Sequence, residues 1–298
     1  MKLKPLPIRT KIYAGETVDS FAHRASVQNH TTVKAVETAL VDSGDLKSRA
    51  RSAHGRPEAW RQLGLLRADA FCAPTTLEDN VIHERNLCLH CTRGEVAVGR
   101  IPGTGMVCLR HRRWVGQPQL DIRDYRPALS AERRFRALFR SRGLVFDCTA
   151  MMIGLETAVV ALGGDELERR RTTTGIPAIE ALAYREQVAI AQMLTSTQFL
   201  DTACNPSLAT PVRYAHVTAQ FAAALRVDDR SDLWRGVERI WAVVRTLTNE
   251  LRRAASHDRI PDDTQFKLLR YSSLPARYRS AGESVLPRRA KSWNGGLA

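Results

Sequence analysis

Cys88-Leu89-His90-Cys91 and, sixteen intervening residues later, Cys108-Leu109-Arg110-His111 form two C-x-x-[CH] knuckles. A two-residue spacer lets one tight turn aim both side chains at a single point, and two such turns on neighbouring hairpins complete a tetrahedron. Three thiolates and a neutral imidazole suit Zn2+, and four protein ligands leave no open position for water. The pattern predicts one structural Zn2+ on Cys88, Cys91, Cys108 and His111, contributing folding energy rather than catalysis. For one knuckle alone, unrelated buried cysteines would be an equal reading; two matched knuckles argue against it. His90 and His83 are the other ligand candidates nearby, and the position of His90 beside Cys91 should turn it away. Cys72, Cys148 and Cys204 have no partner at ligand spacing and are expected to be plain buried thiols.

The knuckles lie in a glycine-punctuated stretch, 86–114, with short β-type runs at Val96-Ala97-Val98 and Met106-Val107, the pattern of small hairpins in a zinc ribbon. Upstream, residues 1–15 read as extended. Thr17 can cap a helix with Val18, Phe21, Ala22 and Ala25 on one face. Asn29-His30-Thr31 reads as a turn, and Thr31 or Thr32 starts a second helix with Val33, Val36, Ala39 and Leu40 inside, ending near Ser43-Gly44. Two short amphipathic helices across a tight turn make a helix-turn-helix candidate, although helical hairpins are common in any α-rich chain. A third helix is expected over Pro57–Arg67, with Trp60, Leu63 and Leu66 inward.

Beyond Pro127 the pattern is helical almost throughout. Ser130 can cap Ala131–Arg142, and Pro177 opens a helix carrying Ile179, Leu182, Ile190, Met193 and Leu194. Ser231 can cap a helix with Leu233, Val237, Ile240, Trp241, Val244, Leu247 and Leu251 at helical spacing, ending at Arg252-Arg253. The apolar run Val145–Leu162 holds Asp147 and Glu156, so it reads as a buried helix rather than a membrane span. Gly163-Gly164-Asp165 reads as a helix-ending turn. The expected organisation is mainly α: a helix-turn-helix-like N-terminal module with its zinc ribbon (1–120), a helical domain (121–271) and a basic flexible tail (272–298). No apolar leader follows Met1, which predicts a cytoplasmic protein.

The formal charge is +14, and 38 of the 45 basic residues are arginine. A GC-rich coding bias would supply arginine by itself, but guanidinium forks also match phosphate and guanine, and the two causes are compatible. Between residues 100 and 142, eleven arginines face only Asp121, Asp124 and Glu132. Phe135, Leu138 and Phe139 belong to a core, so the arginines beside them should face solvent. Arg110, Arg112, Arg113, Arg133, Arg134, Arg136 and Arg140 are therefore the candidate nucleic-acid contacts, with a merely solvated face as the alternative. The sequence has no P-loop, G-x-S-x-G, H-E-x-x-H or patterned acidic triad, so no enzyme is expected and no catalytic residue is assigned.

Leu6-Pro7-Ile8-Arg9, then Gly15-Glu16-Thr17-Val18-Asp19-Ser20-Phe21, then the two knuckles give a chain that resembles the TniQ/TnsD family over roughly residues 5–115. The resemblance implies target-site selection in Tn7-like DNA transposition. A protein of that kind binds DNA, or a guide-RNA effector complex, and recruits an AAA+ ATPase that calls in the transposase. It also implies that Cys88, Cys91, Cys108 and His111 are zinc ligands and that there is no catalytic residue. Many members carry a second cysteine cluster, and this sequence has one. Two other readings stand beside it: a zinc-containing transcriptional regulator binding its operator as a homodimer, and a protein–protein scaffold whose charge serves solubility.

Overall fold

The computed structural model describes residues 3–77, 80–226, 233–257 and 268. Among these the protein is mainly helical, with short antiparallel hairpins between the third and fourth helices. The N-terminal helices are α1 (Val18–Gln28), α2 (Val33–Asp42) and α3 (Arg56–Leu63). Thr17 caps α1 by accepting from the Ser20 amide, and Thr32 caps α2 by accepting from Ala35. Pro57 sits in the first turn of α3, where its missing N–H costs nothing, and Gly64 closes the helix. Leu66 therefore lies beyond α3 rather than on its inner face.

The extended N-terminal stretch forms no strand among the described residues. It is pinned instead, by the Leu6 amide donating to the Leu63 carbonyl and by reciprocal bonds between Ile8 and Asn29. The inner face of α2 also differs from the apolar pattern. Ala39 is exposed and Val33 and Val36 are half-buried, while Glu37 is buried beside Leu40. Glu37 accepts from Arg56 Nε at 2.8 Å and Trp60 Nε1 at 2.9 Å, and these partners make its burial tolerable. Phe21, Ala22, Ala25, Leu40, Leu46, Ala59, Trp60 and Leu63 complete one small apolar cluster.

Three sheets follow: β1 (Thr76–Leu77) with β2 (Asn80–Val81), β3 (Arg85–Asn86) with β4 (Val98–Gly99), and β5 (Val107–Cys108), β6 (Arg113–Trp114) and β7 (Leu120–Asp121) in that order. The remaining helices among the described residues are α4 (Arg126–Arg142), α5 (Thr149–Thr174), α6 (Ile179–Leu194), α7 (Thr197–Ala203), α8 (Thr210–Leu225) and α9 (Trp234–His257). Twelve of the sixteen residues of α6 are buried, and α4, α5 and α8 pack around it.

Several boundaries move from those the sequence suggests. Helix α4 starts at Arg126 with Pro127 in its first turn, so Ser130 is inside the helix and caps nothing. Gly163 (φ 68°, ψ 170°) breaks the helical backbone within α5, as the glycine pair suggests, and a second helical segment follows at once and runs to Thr174. Ile179 opens α6 but is 48% exposed. Helix α9 continues past Arg253 to His257, with Val237, Ile240, Trp241, Val244, Leu247 and Leu251 buried as their spacing requires. Ser231 and the tail 272–298 lie outside the described residues. Cys148 and Cys204 are buried, whereas Cys72 is exposed. No helix among the described residues is long and apolar enough to cross a membrane.

A second, larger apolar cluster gathers the helices from α4 onward together with Ile82, Val107, Trp114 and Ile122 from the hairpin segment. It shares no residue with the N-terminal cluster. Helix α5 crosses α6 closely, so that a Cβ on Gly154 would fall 2.6 Å from the Gln187 carbonyl oxygen. Because the obstacle is backbone, relief requires the helices to separate. Gly154→Ala should therefore destabilise the protein by about 1–3 kcal/mol, the usual range for overpacking. Thermal unfolding of the variant beside the parent checks this, and an unchanged midpoint would refute the close crossing.

Candidate metal centre

Each knuckle is a turn placed by a different neighbour. The first follows β3, where Thr92 is fully buried and its hydroxyl bonds the Leu89 carbonyl at 3.2 Å, closing the turn around Cys88 and Cys91. Tyr13 donates its hydroxyl to the Thr92 carbonyl at 2.8 Å and to Glu95 at 3.0 Å. Arg24 of α1 pairs with Glu95 and with buried Glu16, and its guanidinium lies 4.3 Å from the Tyr13 ring centroid. The first knuckle is thus seated on the N-terminal unit, while Arg85 of the preceding β3 reaches Asp147 and the Phe146 ring of the helical body.

The second knuckle follows β5. Glu132 of α4, fully buried, accepts from the Gly105 amide at 3.0 Å, and Arg136 donates to the Val107 carbonyl at 3.2 Å. Trp114 meets Tyr184 of α6 edge-on at 5.4 Å. Cys108 and His111 are thus seated on the helical body. Gln119 ties the two knuckles together, accepting from the Leu89 amide at 2.9 Å and donating to the Leu87 carbonyl at 2.7 Å.

These seats bring Cys88, Cys91, Cys108 and His111 into one cluster whose ligand atoms all lie within 4.8 Å of one another. Cys91 and Cys108 sulfurs are 3.7 Å apart, and His111 Nδ1 is 3.6, 3.3 and 3.6 Å from the sulfurs of Cys88, Cys91 and Cys108. Tetrahedral Zn2+, with bonds of about 2.3 Å to sulfur and 2.0–2.1 Å to nitrogen, places ligand atoms roughly 3.5–3.8 Å apart. The cluster can hold a metal ion, and its dimensions are compatible with structural zinc.

The electrostatics agree. Burial and the sulfurs of Cys108 and Cys88 push the Cys91 thiol up to about 12, and burial raises Cys108 as well. A dication among three sulfurs reverses that balance and favours thiolates. Burial, then Arg110, His90 and Arg113, lower His111, which favours the neutral imidazole that a metal requires. His90 is exposed, its ring 5.5 Å from that of His111, and it is not part of the cluster; nor is exposed His83.

The arginines singled out in the sequence separate into two groups. Arg110, Arg112, Arg133, Arg134 and Arg140 are exposed. Arg113 and Arg136 are not free surface: Arg113 donates to the Gln119 carbonyl, and Arg136 pairs with Glu132 at 2.7 Å. The seats of the knuckles, Glu132, Glu95 and Gln119, were missed in the sequence, where isolated polar residues carry no spacing signal. Compared with family models, with curated proteins and with solved structures, the chain matches none of them.

Elemental analysis of the purified protein should give one zinc per chain. Cys108→Ser should abolish stoichiometric metal, and zinc retention should fall as the pH is lowered, because protons compete for thiolates and imidazole. A wild type that purifies folded and compact without metal would refute the assignment.

Proposed function

We propose that this chain is a non-enzymatic, zinc-stabilised DNA-binding protein that acts as a target-recognition adaptor in Tn7-like transposition, bringing an AAA+ ATPase to a DNA site. The observation that carries the DNA part is a set of arginines without acidic partners. Arg110 and Arg112 on the second knuckle, and Arg126, Arg133, Arg134 and Arg140 on α4, are exposed and have no ion pair among the described residues. On α5 and α6 several acids are engaged: Glu166, Glu168 and Glu186 with Arg169, Arg171 and Arg170, and Glu156 with Arg239 of α9. Arg126, Arg133 and Arg140 recur every seven residues, so they share one helix face about 10.5 Å apart along the axis. Like charges ranked in this way suit a polyphosphate backbone.

The adaptor part rests on the resemblance over residues 5–115 and on a contrast in charge. In the helix-turn-helix candidate α1–α2, Arg24 is paired with Glu16 and Glu95, and Arg56 of α3 with Asp19 and Glu37. Those guanidinium groups are unavailable to phosphate, which favours a protein-docking role for this unit.

Duplex DNA affinity should fall steeply with salt. Replacing Arg133, Arg134 and Arg140 together with Gln should lower both affinity and the log–log salt slope, by about 0.9 for each phosphate that the variant no longer neutralises. Unchanged affinity and slope would leave the face merely solvated. Purification of the tagged full chain from its native cell should co-isolate an AAA+ ATPase, identified by mass spectrometry. Tight binding to a specific operator with no ATPase recovered would replace the adaptor with a regulator.

A further inference from the structure

The four ligand atoms come in pairs from two bodies with separate apolar interiors. Cys88 and Cys91 ride on the N-terminal unit through Thr92 and Glu95, which Tyr13, Arg24 and Gln28 hold. The strand behind them is stitched to the same unit: the Thr17 amide donates to the Val98 carbonyl at 3.0 Å, the Val98 amide to Ser20 Oγ at 2.9 Å, and the Arg100 amide to the Gly15 carbonyl at 2.8 Å. Cys108 and His111 ride on the helical body through Glu132, Arg136 and Tyr184. Val107 and Trp114, on either side of them, belong to the large cluster.

Across this seam the two apolar clusters share no residue. Two side chains bridge the seam: Gln119, with two hydrogen bonds between the knuckles, and Arg85 of β3, which lies 3.7 Å from Asp147 and 4.6 Å from the Phe146 ring centroid. Hydrogen bonds at a partly solvated seam contribute little net stability each, because water offers the same partners once the seam opens. A tetrahedral ion is different, since it fixes four atoms from both bodies to one point and exchanges none of them for water without losing a bond.

We propose that the metal is an interdomain clasp: it sets the orientation of α1–α3 on α4–α9, and its removal lets the two bodies pivot about the remaining Arg85 and Gln119 contacts while each stays folded. The proposal rests on the metal-centre reading above. Its consequence is that an N-terminal surface and the arginine face of α4 act as one rigid unit only in the loaded protein.

The test uses the full chain, with zinc first measured in the purified protein, then extracted by a chelator and returned. Hydrogen exchange and small-angle scattering are recorded in each state. Extraction should increase exchange over 86–115 and enlarge the radius of gyration, α1–α3 and α4–α9 should keep their protection, and returned zinc should restore the compact state. Gln119→Ala, which leaves the ligands in place, should remain compact while loaded. Protein purified without metal would refute the metal reading itself. A loaded protein whose dimensions do not change on extraction would refute the clasp alone. So would loss of protection throughout both bodies, or a loaded Gln119→Ala variant that is already expanded.

Discussion

The arrangement of this molecule hinges on one buried carboxylate. Glu132 is fully removed from solvent and is surrounded by donors from three places: the Gly105 amide, the Tyr184 hydroxyl at 2.8 Å and its own helix neighbour Arg136. A carboxylate out of water is tolerable only when its oxygens are saturated, so these partners are obligatory rather than decorative. Gly105 has no room for a side chain there, because a Cβ would run into the Tyr184 hydroxyl. Arg136, held by Glu132, grips the Val107 carbonyl one residue before Cys108. The position of the second knuckle is thereby fixed to α4 and α6 through a chain of directional bonds, before any ion is considered.

Directional bonds of that kind are what the sequence could not reveal. The two knuckles were legible because their chemistry depends on local spacing, and the structure brings all four side chains together. The apolar stripes of α1 and α9 were legible from their periodicity, although buried Arg24 and Ser26 beside that of α1 were not. The face of α2 was not, since Glu37 is buried by partners nineteen and twenty-three residues away. Pro127 illustrates a different ambiguity: it marks a helix stop when read from upstream, yet the first turn of a helix accommodates it equally well. Arg136 looked like its neighbours because a charge count cannot tell a guanidinium in solvent from one gripping a carbonyl.

Burial also changes what the charge of α4 means. In sequence, Glu132 partly offsets the arginines around it. In the structure it is inside and neutralised by Arg136, so the outer face of α4 carries arginine with no acid of its own. The second half of α5 shows the opposite solution: Glu166 and Glu168 stay on the surface and bond the arginines three and four residues on. Two arginine-rich helices in one protein thus present very different potentials to their surroundings, and the difference follows from where a few carboxylates are placed.

The orientation of His111 has a consequence for the surface around it. Its Nδ1 faces the three sulfurs, so Nε2 is left on the side away from them. An imidazole whose Nδ1 lone pair is given to a cation has only one tautomer, with the remaining hydrogen on Nε2. With a cation held there, the ring would cease to be a titrating group and would become a fixed donor of one hydrogen bond. Between exposed Arg110 and Arg112, it would be a donor whose direction the framework sets.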